Sequence, residues 1–133
     1  MNLAKSNDGI NLLENSYYYF IKTLSTLAKS ADEQCEEMGD YNVPFELCDD
    51  GLVVDYLIKQ DITKFSKVEM DGMKDLSAAL HAIRGEALKG GSTREDNLKG
   101  MNDQRWKLVR EIAKRLIITL SSRTLENRKY LNI

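Results

Sequence analysis

The residues here with the widest chemical repertoire are two cysteines and a single histidine. Cys35 and Cys48 bracket the stretch CEEMGDYNVPFELC, a spacing open to a disulfide, half of a metal clasp, or a nucleophile. A tetrahedral metal site needs further ligands, and one histidine with no third cysteine falls short of them. On helical geometry Cys35 lies about 30° from the centre of one apolar stripe and Cys48 roughly 90° from the centre of the next. Both thiols are therefore expected to pack as small apolar groups. His81 points about 140° from its own stripe, and no carboxylate three or four residues away could orient it. It reads as a solvated side chain. No catalytic residue, resident metal or cofactor is assigned.

Carboxylates offer a sharper chemistry. Glu33-Gln-Cys-Glu36 and Glu46-Leu-Cys-Asp49 place ExxE and ExxD at the facing ends of a helical hairpin. A hard cation such as Mg²⁺ takes several carboxylate oxygens. The pattern resembles the metal-binding signature of the all-α nucleoside triphosphate pyrophosphohydrolases, which are helical bundles using Mg²⁺. That resemblance, confined to residues 33–49, implies Glu33, Glu36, Glu46 and Asp49 as metal ligands and nucleoside triphosphates as substrates. On a helical wheel, however, Glu33 points about 170° and Glu36 about 130° from the core stripe. Asp49 also turns away from its own stripe, so a solvated acidic face accounts for the same letters. The enzyme stands as the alternative reading. Phosphate-loop, GxSxG and HExxH signatures are absent.

Two surface features bear on partners. Lys107, Arg110 and Lys114 form a ridge opposite the core face of the last long helix, with Arg123, Arg128 and Lys129 beyond it. Such a ridge can neutralise phosphates, which makes nucleic-acid binding the second alternative. In Tyr17-Tyr18-Tyr19-Phe20, the first and last residues belong to the core stripe. Tyr18 and Tyr19 are left outward as interface candidates. Charge is segregated along the chain: Asp32 to Asp75 holds 13 acidic residues against 4 lysines, while Arg105 to Ile133 holds 8 basic residues against 2 glutamates. With a net charge of only −2, this suits a charged protein partner or a homodimer.

The elements that must hold these residues are helical. The chain has 133 residues, 42% apolar and 30% charged, the size and balance of one globular domain. One proline and eight glycines leave room for long elements. Apolar spacings of three and four predict helices over 15–38, 45–58, 67–89 and 103–122. Leu24, Leu76, Ile83, Ile112 and Leu116 are expected in the core. Gly39 and Pro44 mark an end and a beginning, and Ser66 with Glu69 forms a capping box. The β-branched run LVVDYLI leaves a strand over 52–58, and hence an α+β fold, as the alternative. Residues 1–9, 90–101 and 126–133 read as mobile. The expected fold is all-α, a single-domain antiparallel bundle of about four helices. No apolar run suits a signal peptide or a membrane span, so a cytoplasmic protein is expected. Its expected role is non-catalytic: an adaptor, an immunity-type inhibitor or a phage-type regulator, binding a protein partner or itself through helix faces.

Overall fold

The computed structural model describes residues 3–39, 41–60 and 64–133, with residues 3–8 and 86 as backbone alone. Among the described residues every regular element is helical: α1 (Leu3–Leu27), α2 (Ala31–Met38), α3 (Val43–Gly51), α4 (Val53–Ile58), α5 (Lys67–His81), α6 (Arg94–Met101), α7 (Gln104–Thr119) and α8 (Ser121–Leu131). The chain is all-α, and the strand alternative fails, since 53–58 is helical. The expected stripes are divided further, by a side-chain cap at Ser30 and by single residues without such a cap at Leu52 and Leu120.

The first expected helix breaks after Leu27. Ser30 accepts a hydrogen bond from the Glu33 amide, and the Glu33 carboxylate accepts from Ser30 N, a reciprocal box that starts α2. The apolar stripe runs through this break and conceals it. Asn42 caps α3, with Pro44 in its first turn, and Leu52 separates α3 from α4. Ser66 and Glu69 form the expected box at the start of α5.

That helix stops at His81 rather than at 89, and residues 85–88 form a 3₁₀ turn with Gly85 at φ +58°. Donors from α7 take the local carbonyls. Trp106 Nε1 donates to Ala87 O at 2.6 Å, and Arg105 Nη1 donates to Arg84 O at 2.8 Å. Within the expected linker, Thr93 caps α6. The last helix is interrupted at Leu120, and the tail continues as α8.

The core is one cluster. Leu13, Tyr17, Phe20, Leu24 and Leu27 line the inner face of α1, which packs on α3, α4, α7 and α8. From the other side come Leu76 and Leu80 of α5, with Trp106, Ile112 and Leu116 of α7. All five residues expected in the core are buried. Burial of this kind stabilises by about 25 cal/mol per Å² of apolar surface.

Helix α6 closes one end through a polar side chain. Asn97 is fully buried; its Oδ1 accepts from Val43 N and Gly91 N, both at 3.1 Å, and its Nδ2 donates to Tyr41 O at 2.8 Å. Three otherwise orphaned backbone groups are satisfied at once.

Candidate functional site

The sequence-derived candidates divide into those the fold consumes and those it leaves outside. Both cysteines are free and buried. The Cys48 Sγ donates to Leu80 O at 3.6 Å, and burial followed by the neighbouring Asp49 pushes its thiol up. Burial likewise raises Cys35. Neither is a poised thiolate.

His81 is exposed, yet it has a carboxylate that sequence spacing could not reveal. Its Nε2 lies 2.7 Å from Asp55 Oδ2 across the α4–α5 contact, and Ser77 Oγ donates to the other oxygen of Asp55. Burial alone would raise Asp55, but the bonds from Ser77 and His81 outweigh it and hold the carboxyl below its usual range. Asp55 stands between the serine and the histidine, an order that gives Ser77 no histidine base.

The four carboxylates of the hydrolase pattern take separate roles. Glu33 belongs to the Ser30 box, and Glu36 meets Arg94 Nη1. Glu46 and Asp49 lie on α3. Among the described residues, no group of three or more His, Cys, Asp or Glu side chains could hold a metal ion.

The basic ridge requires correction. Lys107 and Lys114 are exposed, the latter 3.5 Å from Glu111. Arg110 turns inward, where its Nε and Nη2 donate to Gln34 Oε1 at 3.2 and 3.0 Å and its Nη2 also reaches Met101 O. Arg123 is only 5% exposed. Arg123 follows Leu116 and Leu120 at helical spacing, on the buried side rather than on the side of Lys107 and Lys114, and inserts between α1 and α8, where its Nη2 donates to Glu14 Oε2 at 2.8 Å. It lies over the rings of Tyr17 and Phe65 at 4.9 and 5.8 Å.

Asn127 completes that polar seam, donating from Nδ2 to Glu14 O and Glu14 Oε1, each at 2.8 Å. Tyr17 Oη lies 2.8 Å from Thr124 Oγ1, and burial pushes the phenol up to about 12. Helix α8 thus docks with Arg123 and Asn127 inward, while Leu125 is 62% exposed. Sequence reasoning missed this seam because Glu14 gave no signal beyond an acid near an apolar stripe.

The aromatic candidates remain at the surface. Tyr18 and Tyr19 meet edge to face with centroids 5.4 Å apart, and Tyr19 is 64% exposed. Tyr18 is half-buried and edges an open groove of about 460 Å³ between α1 and α8, lined also by Ile21, Lys22, Arg128 and Ile133. No described helix is long and apolar enough to cross a membrane. The chain matches no family model, no curated protein and no solved structure.

Proposed function

We propose that the protein is a non-catalytic interaction module of the cytoplasm, regulatory in role, which binds a protein partner or a second copy through helix faces. The observation that carries this reading is the Tyr18–Tyr19 pair beside the α1–α8 groove. Large amphipathic rings at the rim of a part-apolar groove suit the buried centre of an interface, where aromatic anchors supply most of the energy. The groups with more reactive chemistry are engaged elsewhere: Cys48 on a backbone carbonyl, His81 on Asp55, Arg123 on Glu14.

The test compares wild type with the Tyr18→Ala/Tyr19→Ala variant in capture from native lysate, read by mass spectrometry. A protein recovered in fixed proportion by wild type and lost by the variant supports the reading. Recovery abolished by nuclease would replace it with nucleic-acid binding. Equal recovery by both proteins would remove the tyrosines from the interface.

A further inference from the structure

Two open grooves meet along α1 and share a wall made by Lys22 and Ser25. On one side lies the groove of Tyr18 and Arg128; on the other lies a groove of about 420 Å³ reaching Met38, Leu47 and Asp50. The first is cationic. Lys22 stands 4.9 Å over the Tyr18 ring, and neither it nor Arg128 has a carboxylate partner among the described residues.

The second groove shares Lys22 and adds two acids, Glu37 and Asp50. Its Glu37 is matched by Lys29 at 2.7 Å, but Asp50 has no cation among the described residues. Burial first, then the charges of Asp49 and Glu46, push the Asp50 carboxyl up. An open anion and an open cation therefore flank one line on the surface, with apolar side chains in both grooves.

We propose that this face of α1 is the contact between two copies of the chain, related by a two-fold axis near Lys22 and Ser25, with Arg128 of each copy meeting Asp50 of the other. The inference deepens the protein-binding reading above and rests on it. A two-fold contact pairs residue i with j and j with i, so a patch whose halves carry opposite charge is complementary to itself. An acidic peptide from another protein would satisfy Arg128 and Lys22 but leave Asp50 unmet. A second copy satisfies both halves.

Charge reversal tests this directly. Arg128→Glu sets a new carboxylate against Asp50 twice, and Asp50→Arg sets a new guanidinium against Arg128 twice, so each variant sediments as a monomer. Mixed in equal amounts, the two variants form a heterodimer in which one contact joins the native pair and the other joins the two reversed residues. Opposite charges then meet at both contacts, and the mixture sediments as a dimer, as wild type does. Both side chains are exposed, and unchanged helical circular dichroism verifies the fold of each variant. The proteins are compared at about 100 μM, which captures any dimer tighter than roughly that value. A monomeric wild type overturns the inference, as does a dimer that survives both reversals or a mixture that stays monomeric. A monomeric wild type leaves the protein-partner reading standing, since lysate capture decides that separately.

Discussion

Glu14 and Arg123 stand 109 residues apart in the chain and 2.8 Å apart in the fold, with both side chains almost wholly withdrawn from water. Two buried charges gain little net stability over apolar replacements of similar volume, but either one left alone is costly. Arg123→Met should therefore destabilise by about 3–5 kcal/mol, because the Glu14 carboxylate keeps only its bond from Asn127. Glu14→Leu combined with Arg123→Met should recover most of that loss. Urea unfolding of the two singles and the double provides the cycle, and additive costs would show that the pair is not coupled.

Leu76 of α5 and Leu116 of α7 lie in the core on two helices that pack together, both at 2% exposure or less. Replacing either by alanine removes buried methyl groups and leaves a cavity, at a cost of about 2–5 kcal/mol. A change below about half a kcal/mol at both, by thermal or urea unfolding, would contradict that packing.

Gly100 gives a test of the α6 cap. A Cβ there would run into the backbone oxygen of Lys89 and come within 2.7 Å of Pro44 Cγ. Gly100→Ala should cost about 1–3 kcal/mol through overpacking, against alanine's better helix propensity. A neutral result would mean that α6 lies less closely on residue 89.

The hydrolase alternative predicts metal-dependent pyrophosphate release from nucleoside triphosphates. With Glu36 held by Arg94 and Glu33 in a helix cap, we expect none with Mg²⁺ or Mn²⁺. Release that disappears in Glu36→Gln would reinstate the enzyme.

What the sequence conveys follows a physical division. Leu24, Leu76 and Leu116 can be placed inside because apolar periodicity is local and the hydrophobic effect needs no particular partner. The break at Ser30 is hidden, since the apolar stripe continues across it and one capping box outweighs a few residues of propensity. Buried polar groups are illegible for a different reason. Gln34, Asn97, Glu14 and Arg123 are tolerated inside only because each meets a partner distant in sequence. The same holds for His81, whose carboxylate lies 26 residues away. Tyr19 falls outside, as its place on the helical wheel predicts. Arg110 and Arg123 depart from prediction because a long cationic side chain reads as solvated unless its partner is known.

Asp55 and Asp50 predict opposite responses to acid. Asp55 is held below its ordinary value near 3.8: burial opposes its charge, but the Ser77 and His81 bonds prevail. A carboxyl lowered by folding adds stability that is present above the unfolded value and lost as pH falls through the folded one. Asp50 is raised above 3.8 by burial and by Asp49 and Glu46, so its charged form weakens the fold at neutrality, and that penalty fades as pH falls through its raised value. Asp55→Asn should therefore lower Tm at neutral pH and converge on wild type in acid. Asp50→Asn should raise Tm at neutral pH and converge likewise. The comparison belongs at high dilution, where the proposed self-contact leaves Asp50 unpaired. Calorimetric scans from neutrality to below pH 3.8 check both signs, and two variants shifting Tm in the same direction at neutrality would refute the assignment.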